Sequence, residues 1–301
     1  MALVRRETEN LTVLSTVQRE VAQVGQDVKL IGSKLEEEAD RAILDWVASN
    51  EHGNRHTDNL SRRLAGTDQW LLDLDRFKDW QAEAKRSLFC HGMQGAGKTV
   101  LTAVVVDHLY AHKRANKDPC AIGIAFLYCR REDAKSQTHE SLLLSILRHF
   151  SRGLPSLHQD VRKLHQQHQG AGTRPLVSEI LRCLQSTLRM YGRAFIVVDA
   201  LDECEPRCRS RLLDSLFQLQ EDHGVNLFVT TRPHDGIESR FPKDSTLEIK
   251  ADGTDIRRYL EAGMEELPGF VKNTPELREK IKDDIVAAVC GMFLLAQLFL
   301  R

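Results

Sequence analysis

The sequence predicts an α/β domain with a mainly parallel five-stranded sheet, preceded by a helical segment and followed by further helices. Short apolar runs typical of buried strands alternate with amphipathic, helix-like runs through the middle of the chain. Such alternation is typical of a parallel sheet covered on both faces, which gives a three-layer sandwich. A glycine-rich loop after one strand and a carboxylate cluster after another favour the same fold class.

The order of these elements can be read along the chain. The predicted strands are residues 88–90, 121–129, 194–198, 225–231 and 246–249. The predicted helices are residues 100–109, 137–150, 174–190, 255–265 and 275–300, with a short helix and a loop over 154–172.

The first chemical motif is GMQGAGKT at residues 92–99, which fits G-x-x-x-x-G-K-[ST] between a strand and a helix. Its glycines let backbone N–H groups wrap around phosphates, and the helix that follows directs its positive end at them. We expect Lys98 to reach the β- and γ-phosphates and Thr99 to ligate Mg²⁺. The predicted nucleotide-binding residues are Gly92, Gly95, Ala96, Gly97, Lys98, Thr99 and Val100.

The second motif is AFIVVDALDE at residues 194–203, an apolar run that ends in carboxylates. A carboxylate at this position holds Mg²⁺ opposite the loop hydroxyl, so Asp199 is predicted as a metal residue together with Thr99. Asp202 and Glu203 are placed to orient or deprotonate water, and we expect three crowded carboxylates to need a cation. The alternative is a capped turn, since Asp often precedes a helix.

Arg232 follows the strand predicted at 225–231 and is the third candidate catalytic residue, with Asp202 and Glu203. An arginine there can contact a γ-phosphate, although pairing with a surface carboxylate is an open alternative. The carboxyl ends of parallel strands meet at one sheet edge, where ligands bind in such folds. The loop, the acidic cluster and Arg232 are therefore predicted to form one site.

Composition narrows the class of partner. The 301 residues contain 42 Lys and Arg against 43 Asp and Glu, for a net charge of −1. No basic excess favours nucleic acid or an anionic membrane, so neither is expected as a partner. A cytoplasmic location and reduced cysteines are expected, because the loop implies a nucleotide pool. The apolar run 285–300 is shorter than the ~20 residues of a membrane span and is predicted to be a core helix.

The N-terminal segment, residues 1–48, is helical in pattern. Apolar residues at 14, 17, 21, 24, 28, 31 and 35 form an a/d seam over three heptads. Self-association, a partner helix, or packing onto the chain's own domain would each use residues 14–35. A polar break at 49–57 is predicted to be a linker, with His52 and His56 as surface histidines. The predicted core follows at 58–250 and begins with a lead-in segment at 58–80. A C-terminal helical extension is predicted at 251–301.

Together, GMQGAGKT, FIVVDALDEC and LFVTTRP resemble a NACHT-type STAND NTPase, and more narrowly the nephrocystin-3-like N-terminal domain of fungal NOD-like proteins. The likeness covers roughly residues 42–301, including the C-terminal GMFLLAQL. It implies a P-loop NTPase fold, Walker A at the glycine loop, Walker B at Asp199, and a sensor arginine at Arg232. It also implies that the Gly66-Thr67 block approaches the base. No repeat array or effector domain is recognisable, which departs from the family pattern.

The resemblance implies a nucleotide-controlled signalling switch with slow Mg²⁺-dependent hydrolysis, often in fungal self/non-self recognition. Two other classes stay open: a true P-loop ATPase or kinase, and an interaction or scaffold protein acting through its N-terminal helix. ATP is favoured over GTP because no guanine-reading N-K-x-D occurs. The expected ligands are thus ATP, or else GTP, and Mg²⁺.

Overall fold

The computed structural model describes residues 2–64, 66–264, 267, 269–289 and 291–300, without the side chains of 2–22, 235, 270 and 272. The chain forms two compact units, Met1–Trp46 and Val47–Arg301. The first consists of most of one long helix, α1 (Ala2–Val47).

The described part of the predicted seam on α1 faces solvent. Val24, Val28, Ile31 and Leu35 are between 57 and 62% exposed. A Cβ built on Gly25 meets no atom within 4 Å. The helix prediction is confirmed here, whereas the side chains at positions 14, 17 and 21 of the seam lie outside the described residues.

A five-stranded sheet organises the second unit, as predicted. Its strands are β1 (Ser87–His91), β2 (Ile122–Tyr128), β3 (Arg193–Asp199), β4 (Asn226–Thr231) and β5 (Thr246–Glu248). The spatial order is β2-β3-β4-β1-β5, and every pairing is parallel. The carboxyl ends of β1, β3 and β4 are therefore neighbours at one edge.

Helices surround this sheet and extend beyond it. Those that precede or connect the strands up to β5 are α2 (Glu51–Ser61), α3 (Gln69–Asp73), α4 (Asp75–Ala82), α5 (Lys98–Ala115), α6 (His139–Arg152), α7 (Gln159–Gln169), α8 (Val177–Leu188), α9 (Pro206–His223) and α10 (Asp235–Glu238). Four more follow β5: α11 (Gly253–Met264), α12 (Gly269–Lys272), α13 (Pro275–Val289) and α14 (Phe293–Phe299). Helix α9 was missed by the sequence patterns, because its many charged residues mask the apolar stripe that it buries.

The lead-in segment packs on the sheet through aromatic residues. Phe77 and Trp80 on α4 are 1 and 2% exposed. The Trp80 indole N–H donates to the carbonyl of Leu227 on β4 at 2.9 Å, and its ring packs edge-on against Phe195 and Phe228. The segment is thus part of the core that supports the sheet.

The predicted linker at 49–57 is wrong, since most of it lies in α2, which covers the edge strand β2. The backbone N–H of Tyr128 donates to His52 Nδ1 at 3.1 Å, and Arg55 Nη1 donates to the Tyr128 carbonyl at 2.9 Å. His149 of α6 accepts the Phe126 N–H in the same way. These side chains satisfy edge groups that a further strand would otherwise bind.

The prediction of surface histidines is wrong for the same reason. His52 is 5% exposed, and the half-buried His56 lies 3.0 Å from the Tyr128 hydroxyl. Burial lowers the pKa of His52 to about 4, with a further contribution from the Arg55 charge. Burial also lowers the pKa of His149 to about 3. Both rings therefore stay neutral, as an imidazole acceptor must.

The single core helix predicted for 285–300 is also wrong. The run breaks at Gly291, whose φ of +80° suits glycine and whose carbonyl accepts the Ala251 N–H at 3.0 Å. Ile285 and Val289 are buried on α13, but Leu298 and Phe299 of α14 are 56 and 58% exposed. In the part of the chain that the structure describes, no helix is long and apolar enough to cross a membrane.

Candidate functional site

The glycine loop lies between β1 and α5, as predicted. Gly95 and Gly97 have φ of +81° and +93°, which side chains rarely adopt, and Gly97 is the N-cap of α5. Gly92 is needed for a different reason, because a Cβ there would lie 2.3 Å from the Ile249 carbonyl oxygen after β5. Gly92 therefore allows close packing of the backbone, while the other two glycines shape the loop.

Lys98 curls back across this loop. Its Nζ donates to the carbonyls of Gly92 at 2.7 Å and Met93 at 2.9 Å. Burial lowers its pKa, whereas the nearby carboxylates of Asp199 and Asp202 act in the opposite direction. The amine therefore lies over the loop that leads into α5, whose N-terminus attracts anions.

Asp199 ends β3 and is almost fully buried, with 2% exposure. Its Oδ2 accepts from the Thr99 hydroxyl at 2.8 Å, and its Oδ1 accepts from Thr102 at 3.0 Å and Thr230 at 2.7 Å. Burial raises the pKa of Asp199, and the three hydroxyls and the Lys98 charge oppose that rise. The carboxylate is thus desolvated but well supplied with donors.

This pair of oxygen donors suits a Mg²⁺ ion. The Thr99 hydroxyl and the Asp199 carboxylate are adjacent at the loop, and Mg²⁺ prefers oxygen ligands, typically one or two from protein with the rest from phosphate and water. Among the residues described, no group of three or more His, Cys, Asp or Glu side chains is placed to hold a metal.

Asp202 and Glu203 lie just beyond, after a turn in which Ala200 has a φ of +52°. Both are paired with Arg232. Arg232 Nε lies 3.1 Å from Asp202 Oδ2, and its Nη2 lies 2.8 Å from Glu203 Oε1. The Arg232 backbone N–H also donates to Asp202 Oδ1 at 3.0 Å. Arg232 thus supplies a positive charge to two of the three carboxylates that were expected to repel one another.

A single cavity of about 320 Å³ joins these groups, near the lower end of the range for small-molecule sites. From the glycine loop, Gly95, Ala96, Gly97, Lys98, Thr99 and Val100 line it, as do Asp199, Asp202, Glu203 and Arg232. Gly92 is the one predicted site residue outside this lining. Thr67 of the Gly66-Thr67 block, which the resemblance places near a base, also lines the cavity.

The C-terminal helices complete the cavity, which sequence patterns did not indicate. The Leu294 N–H donates to the Gly95 carbonyl at 3.1 Å. Phe293 packs edge-on against Tyr259 of α11, with ring centroids 5.0 Å apart, and both line the cavity. Thr102 and Thr230 were missed as well. The sequence contains little signal for either, since Thr230 lies inside an apolar strand and Thr102 inside an apolar helix.

Several solved structures are similar to this chain at low sequence identity. The chain is similar to a DNA replication initiation factor (15% identity, TM-score 0.43, covering 80% of this chain and 62% of that one). It is also similar to the Walker-type ATPase PABY2304 of Pyrococcus abyssi (14% identity, TM-score 0.45, covering 73% of this chain and 63% of that one). A third similar structure is the Aeropyrum pernix ORC1 protein in complex with DNA (17% identity, TM-score 0.44, covering 86% of this chain and 62% of that one). The chain spans less than two thirds of the length of each.

No curated protein sequence is significantly similar to this chain. Residues 66–232, more than half of the chain, match the family model described as Nephrocystin 3, N-terminal. This match spans the glycine loop, the acidic cluster and Arg232, and the parallel sheet around them is that of a P-loop NTPase. The chain therefore belongs to the nephrocystin 3 N-terminal family of P-loop NTPase-fold proteins.

Proposed function

We propose that this protein is a nucleotide-binding signalling switch of the STAND type, with slow Mg²⁺-dependent hydrolysis of ATP rather than GTP. The observation that carries the proposal is that Lys98, the Thr99–Asp199 pair and Arg232 line one cavity at the carboxyl ends of β1, β3 and β4. A triphosphate needs a cationic cradle, an oxygen site for Mg²⁺ and a group near its γ-phosphate. This cavity offers all three.

Each residue has a role in this proposal. Lys98 exchanges its two loop carbonyls for phosphate oxygens, and Thr99 and Asp199 hold Mg²⁺, which neutralises phosphate charge when bound. Glu203, with Asp202 beside it, orients and deprotonates the attacking water. Arg232, now paired with both carboxylates, is close enough to exchange one of them for a γ-phosphate.

Slow turnover follows from that pairing. While Arg232 binds Glu203, that carboxylate is held by the guanidinium and is not free to accept a proton from water. Hydrolysis then requires Arg232 to move towards the phosphate. A catalytic group that is released only in one nucleotide state suits a switch better than a fast ATPase or kinase.

The resemblance to NACHT-type NOD-like proteins supports a role in signalling, with fungal self/non-self recognition as the finer proposal. We also propose a cytoplasmic location, a core at 58–250 between segments at 1–48 and 251–301, and no nucleic-acid or membrane partner. The balanced charge of −1 supports the last point. Some similar solved structures contain DNA, the Aeropyrum pernix ORC1 protein among them, but this is a property of those proteins.

A second candidate function is an interaction role for α1. Its heptad seam at 14–35 includes Val24, Val28 and Ile31, whose side chains are exposed. We therefore propose that a second copy or a partner helix packs on the seam. This role is compatible with the switch. It would stand alone if the cavity bound no nucleotide.

The direct test is to purify the chain, denature it, and identify any nucleotide that is released. Adenine nucleotide at a substantial fraction of one per chain is the expected result. Guanine nucleotide would overturn the choice of base. If no nucleotide is released, and fluorescent mant-ATP with Mg²⁺ does not bind, the switch is overturned and the scaffold function is favoured.

A further inference from the structure

Thr230 on β4 connects the carboxylate of Asp199, the predicted Mg²⁺ ligand, to the turn that follows Asp199. It is fully buried, and its hydroxyl donates to Asp199 Oδ1 at 2.7 Å. Thr230 Oγ1 in turn accepts the backbone N–H of Ala200 at 3.0 Å. A hydroxyl has a single proton. With Ala200 on its acceptor side, Thr230 directs that proton at Asp199.

Thr102 is a less committed donor to the same oxygen. Its hydroxyl lies 3.0 Å from Asp199 Oδ1 but also 2.9 Å from the carbonyl of Lys98, one turn earlier on α5. Its one proton is therefore divided between two acceptors. Thr230 is the stronger constraint on how the Asp199 carboxylate is rotated.

Rotation matters because the two oxygens of Asp199 face different partners. Oδ1 is occupied by Thr230 and Thr102, while Oδ2 faces Thr99, the other predicted ligand of Mg²⁺. With Oδ1 held, Oδ2 is the oxygen left for the cation. Partners of this kind orient a ligand and tune its affinity for metal.

The bond from Ala200 fixes a second part of the site. Ala200 adopts a left-handed conformation, which is unfavourable for an L-residue and needs support from its surroundings. The turn made there leads directly to Asp202 and Glu203, which meet Arg232 just after the strand that carries Thr230. One threonine thus links the metal residue, the turn and the water-activating carboxylates.

We propose that Thr230 is a positioning residue for the nucleotide–Mg²⁺ site, acting by fixing the rotation of Asp199 and the turn at Ala200. This inference rests on the proposed function. It predicts that loss of the hydroxyl weakens the coupling between Mg²⁺ and nucleotide, while contacts to the phosphates through the glycine loop stay intact.

The experiment compares two neighbouring threonines. Thr230→Val removes the hydroxyl at nearly constant volume, and Thr231→Val makes the same change one residue later. Thr231 is also fully buried, but its Oγ1 has no hydrogen-bond partner among the described residues. Thr230→Ser restores the hydroxyl. The dissociation constant of mant-ATP is measured with Mg²⁺ and with EDTA, alongside thermal unfolding of the nucleotide-free proteins.

The expected result is a tenfold or larger fall in the Mg²⁺ enhancement of binding for Thr230→Val, as found for outer partners of metal ligands. Its affinity in EDTA should stay within about twofold of wild type, as this binding uses the loop. Thr231→Val should behave as wild type, Thr230→Ser should recover the enhancement, and Thr102→Val should lose less than Thr230→Val.

Other outcomes overturn the inference. An unchanged Mg²⁺ enhancement in Thr230→Val would remove the positioning role. Equal losses with Mg²⁺ and with EDTA, together with a lower melting temperature, would make Thr230 merely structural. Thr230→Ala is the second variant if the valine does not fold, and unfolding of both would likewise make Thr230 merely structural. If wild type itself binds no mant-ATP, the proposed function fails and the inference with it; in every other case, the proposed function stands.

Discussion

Arg232 Nη2 lies 2.8 Å from Glu203 Oε1, so the candidate sensor and the candidate base neutralise each other in this structure. Each would need the other's release to act on a nucleotide. A γ-phosphate could break this ion pair by competing with the carboxylate for the guanidinium, because Arg binds phosphate and carboxylate in the same geometry.

Replacing Arg232 with Gln should remove the discrimination between ATP and ADP. The variant is expected to bind ADP nearly as wild type, to bind ATP more weakly, and to hydrolyse it more slowly, since it lacks the cation for the γ-phosphate. Isothermal titration with both nucleotides measures this. Arg240→Gln is the control, because Arg240 pairs with Asp214 on the surface. Unchanged ATP-over-ADP preference would contradict the sensor role.

Lys98→Ala should weaken nucleotide binding strongly without unfolding the protein. Nζ now donates to two loop carbonyls and would donate to phosphate oxygens in the complex. A hydrogen bond to a charged group contributes roughly 1.5–3 kcal/mol, so its loss is expected to weaken nucleotide binding on the order of 100-fold. Binding of mant-ATP and a thermal melt are the two readouts, and the exposed Lys117→Ala is the control. Wild-type affinity in Lys98→Ala would remove the phosphate site from this loop.

Asp199 and Glu203 should separate binding from chemistry. Asp199→Asn is expected to weaken Mg²⁺-dependent ATP binding, whereas Glu203→Gln should leave it nearly intact and slow hydrolysis by about 10²-fold. Wild-type turnover should lie well below the enzyme median of about 10 s⁻¹. Equal binding losses in the two variants would show that the roles are divided differently, and turnover at or above that median would favour an enzyme.

The histidines on the edge of β2 should make the protein sensitive to acid. Unfolded His titrates near 6.5, but burial lowers the pKa of His52 to about 4 in the folded protein. Between these values the unfolded state holds more protons, so stability is complete above about pH 6.5 and falls as the pH drops through this window, by roughly 1.4 kcal/mol per pH unit for one group.

Urea unfolding at pH 7.5 and pH 5 tests this with His52→Gln, which keeps an acceptor for the Tyr128 N–H but does not titrate. The loss of unfolding free energy on acidification should be smaller in this variant than in wild type. His112→Gln, at an exposed position of α5, should not change it. The same loss in all three proteins would refute a contribution from His52.

Charges in the α1 seam should disperse any assembly that it forms. Val21→Asp with Val28→Asp puts carboxylates into two a positions and is expected to lower the mass seen by light scattering, with unchanged melting of the NTPase unit. Gln26→Asp with Ser33→Asp, outside the seam, is the control. An unchanged mass with a lower melting temperature would mean that the seam packs on its own chain, and no change at all would remove the partner proposal.

Local sequence was enough to find the sheet and the centre of the site. A glycine loop has few alternatives when a strand precedes it and Lys98-Thr99 opens a helix, because phosphate binding requires these residue types in this order. The parallel topology then brings Asp199 and Arg232 to the same edge as the loop. These placements depend on short-range patterns and one general rule of parallel sheets.

Contacts between distant segments decided the rest. His52 reads as a surface residue in a polar stretch, and it is buried only because α2 covers the open edge of β2. The apolar run at the C-terminus reads as one helix, but Gly291 takes a left-handed conformation to reach the Ala251 N–H, and the chain returns so that Leu294 meets Gly95. Likewise, the pairing of Thr230 with Asp199 joins residues 31 positions apart. Such hydrogen bonds leave no periodic signal in the sequence, because they depend on which elements become neighbours once the sheet has formed.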